Sequence, residues 1–289
     1  MNSSSWTYFA AQHWAKDQLA GSDVDPHAPQ FLLEQHHGWD TTHLLVHNRD
    51  QMPATEARWF RAAIAQLLDH VPAQYITGKT SFYGREFRVT PDVLIPEPET
   101  AELVDWVLSS TDANQPYRVL DLGTGSGVIG ITLGLERPHW TVTLSDISPA
   151  ALDVARENAH RQGLELTLVE SDLFNHLADQ RYDLIVTNPP YVDRAATAVM
   201  DRAVIEHEPA LALFADEQGL GFYHRLFDQA GAHLRPGGQL FGETGYDQEE
   251  SIQMLLKECD HDAHMAVRHD VAGKMRMIHA WDFSGTGGN

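Results

Sequence analysis

Cysteine is nearly absent: Cys259 is the only one in 289 residues. A single thiol excludes an intramolecular disulfide framework and any multi-cysteine zinc site. Long apolar runs are missing too. No stretch approaches the ~18–20 apolar residues that span a bilayer, so no membrane association is expected. Basic residues are scarce, with 20 Lys and Arg against 41 Asp and Glu and a formal net charge of −21. Nucleic-acid backbones are held by clustered Lys and Arg through counterion release. No basic run exceeds two residues, so free DNA or RNA is not expected as the main substrate. A basic protein partner is easier to accommodate; the bland reading of the acidity is solubility. The opening Met1-Asn-Ser-Ser-Ser-Trp6 lacks a basic start and an apolar stretch. No secretory signal is therefore expected, and a cytoplasmic location is.

Hydrophobic residues make up 43% of the chain, ample for a core, and the length suits one large domain and a smaller one. Residues 1–72 read as short helices. The clearest is Thr55–Leu68, with Trp59, Phe60, Ala63, Ile64, Leu67 and Leu68 at helical spacing behind Pro53. Residues 73–95 change character. Gln74-Tyr-Ile-Thr-Gly78, Ser81-Phe-Tyr-Gly84 and Arg85–Val89 mix β-branched and aromatic residues with glycine, which predicts a short hairpin linker. From residue 96 to 283 helical and apolar segments alternate. Strands are expected near 118–122, 141–145, 165–169, 183–187, 239–243, 264–269 and 275–282. That alternation predicts a parallel, doubly wound α/β sheet. The tail 284–289, Ser-Gly-Thr-Gly-Gly-Asn, is expected to be disordered.

Two segments carry chemistry. Asn188-Pro189-Pro190-Tyr191 follows the apolar run 183–187 and so sits at a strand's carboxyl end, where open α/β sheets hold ligands. An Asn carboxamide oxygen and a proline carbonyl can accept both hydrogens of one planar NH₂ group. The tyrosine ring supplies a flat wall with a polar tip. Taken alone, this segment is equally well a strand-ending turn. Upstream, Arg118-Val-Leu-Asp121-Leu-Gly123-Thr124-Gly125-Ser126-Gly127 runs from a strand through a glycine-rich turn into a helix, and a second strand ends in Asp146. Glycines let a ligand approach the backbone, and an acid about 20 residues on suits ribose hydroxyls. Gly125 to Gly130 also fits the dinucleotide pattern GxGxxG, a weak signal by itself. Asp121 favours a cationic amino acid and sulfonium, as in S-adenosylmethionine, over a pyrophosphate that it would repel. Asp172 follows a third strand, where it can accept from an adenine amino group with Leu173 against the ring; a helix N-cap is its other reading.

Seventeen histidines invite a metal site. His43 and His47 lie four apart, but no third ligand has suitable spacing, so surface histidines and no metal are expected. Asp193, Glu206 and Glu208 read as a solvated acidic loop.

The ordered set of motifs resembles the HemK/PrmC family of protein-glutamine methyltransferases. It comprises Tyr75-Ile-Thr-Gly78, Phe82-Tyr-Gly84, Leu94-Ile-Pro-Glu-Pro-Glu-Thr100 and Asp121 to Gly127. It continues through Asp146-Ile-Ser-Pro-Ala-Ala-Leu152, Asn188 to Tyr191, Glu208-Pro-Ala-Leu-Ala-Leu213 and Leu234-Arg-Pro-Gly-Gly238 with Glu243. The resemblance implies a helical substrate-recognition domain and a Rossmann-like seven-stranded class I methyltransferase domain. It implies S-adenosylmethionine over Gly123, Thr124, Gly125, Ser126 and Gly127, with Asp146 on the ribose. It implies that Asn188, Pro189, Pro190 and Tyr191 grip the glutamine of a GGQ loop in class I peptide chain release factors. A monomer without direct nucleic-acid contact is expected. The alternatives are an amino-methyltransferase of nucleic acid or of a ribosomal-protein glutamine. Two positions depart from the family pattern: Glu97 stands where Arg is usual, so no contact is assigned to it, and Leu173 stands where many members carry an aromatic residue.

Overall fold

The structure, a computed structural model, describes residues 6–178 and 180–284. It divides into two compact units, 1–79 with 201–207, and 80–200 with 208–289.

The first unit is helical: α1 (Tyr8–Leu19), α2 (Ala28–His37), α3 (Thr41–His47), α4 (Ala54–Leu68) and α5 (Ala73–Thr77). Thr7 and Asp40 cap α1 and α3 with side-chain oxygens, satisfying amides that a helix start leaves unpaired. Leu32, Leu33, Phe60 and Ile64 form the buried centre. The acidic segment after the NPPY motif contributes α9 (Arg202–His207) to this unit. Arg202 meets His70 at 3.0 Å, and His207 Nε2 lies 2.9 Å from the Asp69 carbonyl. The histidines settle into local roles. His43 pairs with Asp40 at 2.8 Å, His47 with Asp50 at 2.7 Å, and His36 stacks on Trp59. Residues 73–77 correct the sequence reading: they are α5, not hairpin strand. Pro72 precedes that helix and Gly78, at φ 72°, closes it in the left-handed conformation. The hairpin is confined to β1 (Lys79–Phe82) and β2 (Arg85–Arg88).

The second unit continues with α6 (Pro98–Ser110), β3 (Arg118–Leu122), α7 (Val128–Glu136), β4 (Thr141–Asp146), α8 (Pro149–Arg161), β5 (Thr167–Glu170) and β6 (Tyr182–Thr187). After β6 come β7 (Val192–Asp193), α10 (Ala210–Leu213), β8 (Phe214–Ala215) and α11 (Asp216–Gly219). The chain ends with α12 (Gly221–His233), β9 (Leu234–Glu243), α13 (Glu249–Cys259), β10 (His264–His269) and β11 (Met275–Trp281). Seven strands form one sheet in the order β10-β11-β9-β6-β3-β4-β5. β3, β4, β5, β6 and β9 are mutually parallel, but β11 runs antiparallel to both its neighbours. The expectation of a parallel sheet is corrected there. Only five residues join β10 to β11, which permits a hairpin and forbids a crossover.

The central strands read as continuous apolar runs because both faces are covered. Leu120, Ile185 and Leu240 pack on one side; Val119, Leu184, Val186 and Phe241 pack on the other. Registers bring the carboxyl ends level: Asp121 lies beside Val186, and Thr187 beside Gly242. The loops after β3, β4, β6 and β9 therefore open on one edge. Of the tail, Ser284 is described, and its amide and hydroxyl both donate to Asp260 Oδ2; residues 285–289 lie outside the described residues. No helix among the described residues is long and apolar enough to cross a membrane.

Candidate active site

A cavity of about 450 Å³ opens at that edge, within the usual size of small-molecule sites. Gly123, Thr124, Gly125 and Ser126 line it, with Asp146, Asp172, Leu173, Asn188 and Pro190. Of the residues proposed from sequence, Asp121, Gly127, Pro189 and Tyr191 do not line it but adjoin residues that do, Leu122, Ser126, Asn188 and Pro190.

The glycine loop is held from below. Asp121 is fully buried, and its Oδ2 accepts from the Thr124 hydroxyl at 2.5 Å and from the Gly130 amide at 2.8 Å. Burial pushes its carboxyl up to about 6 against those two bonds. Oδ1 has no hydrogen-bond partner among the described residues, leaving an acceptor beneath the loop. Gly130 is required for packing: a Cβ there would lie 2.2 Å from Leu144 Cδ2 and 2.9 Å from Asp121 Oδ2. Gly123 and Gly125 have φ of 69° and 55°, and a Cβ on either would meet no protein atom within 4 Å. The loop thus presents bare left-handed backbone, where a ligand can approach.

Asp146 ends β4 on the cavity wall. Its Oδ2 accepts from the Gly125 amide and its Oδ1 from the Ser148 amide, both at 2.9 Å. Burial raises its carboxyl, and these amides oppose the shift. Two bonds leave lone pairs on both oxygens for diol hydroxyls. The N-cap reading of Asp172 is corrected: among the described residues no helix starts between it and β6, and its Oδ2 pairs with Arg225 of α12 at 2.7 Å. The adjacent turn is held by Ser171, whose hydroxyl donates to Leu173 O at 2.8 Å and accepts from the His176 amide at 3.0 Å. Leu173 is buried on the wall at φ 49°, a conformation costly for a side chain of its kind.

The NPPY segment is fixed by a buried polar chain. Asn188 Nδ2 donates to Thr100 Oγ1 at 3.1 Å, and Thr100 donates to Glu243 Oε2 at 2.7 Å. Tyr191 donates its hydroxyl to Glu243 Oε1 at 3.0 Å. Gln248 Nε2 donates to the Tyr191 carbonyl at 3.1 Å. Gly219, at φ 87°, backs the same carbonyl so closely that a Cβ would lie 2.2 Å from it. Asn188 Oδ1 carries no hydrogen bond from the described residues, while Asn188 itself lines the cavity.

Sequence reasoning missed Thr100, Asn158, Arg225 and Gln248. Asn158, 1% exposed on α8, joins Ser126 O to both the amide and the carbonyl of Arg88 on β2. A second cluster also escaped notice: His224, Asp228 and Cys259 bring their ligand atoms within 4.8 Å of one another. Burial and Asp228 push the Cys259 thiol up to about 12.

Residues 10–78 match the family model for the PrmC N-terminal domain, and residues 104–212 that for the methyltransferase small domain. The chain is 34% identical over 270 residues to the release factor glutamine methyltransferase of Enterococcus faecalis, covering 93% of this chain and 97% of that one. The chain belongs to the release factor glutamine methyltransferase family. The enzyme of that description from Streptococcus pneumoniae is 43% identical over 213 residues, 74% of this chain and 76% of that one. A crystal structure of a methyltransferase from Pyrococcus furiosus superposes with a TM-score of 0.52 at 18% identity, over 71% of this chain and 92% of that one. That likeness bears on the fold. As a member of this family the enzyme uses S-adenosylmethionine. The bare glycine loop, the wall carboxylate of Asp146 and the unpartnered Asp121 oxygen fit such a ligand.

Proposed function

We propose that the enzyme methylates the side-chain amide nitrogen of the glutamine in the GGQ motif of class I peptide chain release factors, using Asn188 Oδ1 and the Pro189 carbonyl as paired acceptors. Residues 1–72 are read as the substrate-recognition domain and 96–283 as the catalytic one. The observation that carries the acceptor assignment is the direction of the Asn188 carboxamide. Its nitrogen is turned to Thr100 and its oxygen, an acceptor with no hydrogen bond from the described residues, is free to take a hydrogen from a ligand.

S-adenosylmethionine, when bound, supplies an electrophilic methyl group on a sulfonium. The rest falls to the protein. An amide nitrogen is a weak nucleophile because its lone pair is delocalised into the carbonyl. Two acceptors on its hydrogens aim the nitrogen and strengthen as positive charge develops there; once the nitrogen–carbon bond has formed, one of those hydrogens leaves as a proton to solvent. Binding that improves in the transition state is what accelerates a reaction. Glu243 and Gln248 fix the turn in advance, so little reorganisation is left for the chemical step. Pro189 and Pro190 stiffen the segment by fixing φ.

Mass spectrometry of purified release factor after incubation with enzyme and cofactor tests the activity. One added methyl on the GGQ glutamine is expected; label on RNA or DNA instead would reject the substrate class. Asn188→Ala should lose about 2–4 kcal/mol of transition-state stabilisation, roughly 30- to 900-fold in kcat, by analogy with loss of an oxyanion-hole donor. Cofactor affinity should change little. Wild-type turnover by that variant would remove Asn188 from the mechanism.

A further inference from the structure

Among the described residues, Glu243 is the one buried carboxylate of the site that faces neither the cofactor loop nor the cavity. It is 1% exposed, at the end of β9. Both its oxygens are occupied, Oε2 by the Thr100 hydroxyl at 2.7 Å and Oε1 by the Tyr191 hydroxyl at 3.0 Å. Its backbone carbonyl accepts from Tyr223 of α12. Such a group is expensive to bury, and neither acceptor of the proposed amide grip belongs to it.

We propose that Glu243 is a positioning residue that sets the direction of the Asn188 carboxamide through Thr100. The inference rests on the assignment of Asn188 above and adds what orients it. The argument is one of donor and acceptor polarity. A hydroxyl has one hydrogen to donate. The Glu243 carboxylate accepts only, so it takes the Thr100 hydrogen and leaves the Thr100 oxygen as an acceptor. That oxygen is 3.1 Å from the Asn188 amide group. Only the NH₂ end of the carboxamide can satisfy it, so Oδ1 is turned to the other side. The same carboxylate takes the Tyr191 hydrogen, so both ends of the NPPY turn are referred to one anion.

A protonated Glu243 loses this authority. Its new O–H needs an acceptor, and the Thr100 oxygen is one already beside it. Thr100 would then turn its own hydrogen toward Asn188 and favour the reversed amide. The groups facing Glu243 set where this happens. Thr100 comes from α6 and Glu97 from the position just before it, Tyr191 from the turn, Tyr223 from α12 and Arg276 from β11. Burial pushes the Glu243 carboxyl up to about 7; Glu97 adds repulsion, while Thr100, Tyr191 and Arg276 favour the anion. Arg276 is itself mostly buried, 3.5 Å from Asp270.

The test uses full-length enzyme and release factor, with kcat, KM and cofactor Kd measured from pH 5.5 to 9. Wild-type kcat should rise with pH through about neutrality. Glu243→Gln must donate from its amide to one of two hydroxyls that now donate to it. Thr100→Val removes the link with little change of shape. Each should lower kcat about tenfold, the worth of one orienting hydrogen bond, and flatten the acid limb. Cofactor Kd should hold, and Thr100→Ser should restore both rate and limb. Wild-type kcat and pH dependence in Thr100→Val would overturn the proposal, even if Glu243→Gln fails to fold. An inactive Asn188→Ala beside that result leaves the amide grip intact and refutes only the orienting chain. A fully active Asn188→Ala refutes the grip itself.

Discussion

Replacing Asn158 should show that an isosteric change can harm this enzyme more than a truncation. Asn158 makes three hydrogen bonds from a buried position on α8. Its Oδ1 accepts from the Arg88 amide at 2.7 Å, and its Nδ2 donates to Arg88 O at 2.9 Å and Ser126 O at 2.8 Å. Asn158→Ala leaves one amide and two carbonyls without these partners. A buried polar group left unpaired costs about 1–3 kcal/mol. Arg88 is only partly buried, so water relieves part of that cost. The expected loss is about 3 kcal/mol, read as a lower urea midpoint with an unchanged slope. Asn158→Asp has nearly the same shape and keeps the bond from Arg88. It also sets an acidic oxygen where Nδ2 now stands, against two carbonyl oxygens. That variant should be less stable than Asn158→Ala, by about 1 kcal/mol or more. Because Ser126 belongs to the glycine loop, both variants should also bind cofactor more weakly by calorimetry. Equal or greater stability of Asn158→Asp would mean that the carboxamide donors do not hold the loop.

Two further outcomes follow from the packing and the buried acids. Gly130→Ala should destabilise by about 1–3 kcal/mol through overpacking, because its Cβ would press on Leu144 and on the Asp121 oxygen that holds Thr124; wild-type stability and cofactor affinity would refute that fit. Glu243 should make stability fall as pH rises. A carboxyl held near 7 rather than 4.5 binds its proton more tightly when folded, so its contribution is complete below pH ~4.5 and lost through about 7. The full difference is about 3 kcal/mol. Urea unfolding of wild type and Glu243→Gln from pH 5 to 8 should show a shallower decline in the variant, and parallel curves would contradict the assignment.

The parts of the site visible in the sequence are those that are local. Gly123 to Gly127, Asp146 and Asn188 to Tyr191 stand at strand ends, where an apolar run gives way to residues with special backbone or hydrogen-bonding needs. The supporting residues are ordinary members of helices. Thr100 sits on the same face of α6 as Leu103, Val104 and Val107, and nothing nearby announces that Glu243 lies 2.7 Å away, 143 positions on. Asn158 and Gln248 act over 70 and 57 positions. Such roles are set by strand order and register, which periodicity does not encode. Two misreadings had legible remedies. Pro72 and Gly78 bracket α5 in the arrangement that starts and stops helices, although Tyr75-Ile-Thr77 favours strand. The five-residue link between β10 and β11 is too short for a parallel connection.

Asp121 and Glu243 show one design used twice. Each is a fully buried carboxylate behind a loop that faces the cavity, and each is raised by burial. Each accepts the hydrogen of a threonine hydroxyl, Thr124 or Thr100, and so decides what that hydroxyl can do next. In the first case the loop held is the glycine turn, with Gly130 bound to the same oxygen; in the second it is NPPY, with Tyr191 on the other oxygen. A neutral acceptor such as a carbonyl could take those hydrogens with less loss of stability. Only an acceptor without hydrogens of its own removes the alternative polarity, and the ionised carboxylate is one that offers two oxygens, so that Glu243 receives two hydroxyls at separate atoms where a carboxamide or hydroxyl would have to donate as well. The cost in folding free energy therefore falls on the two places where a one-ångström shift or a reversed amide would matter most to the chemistry.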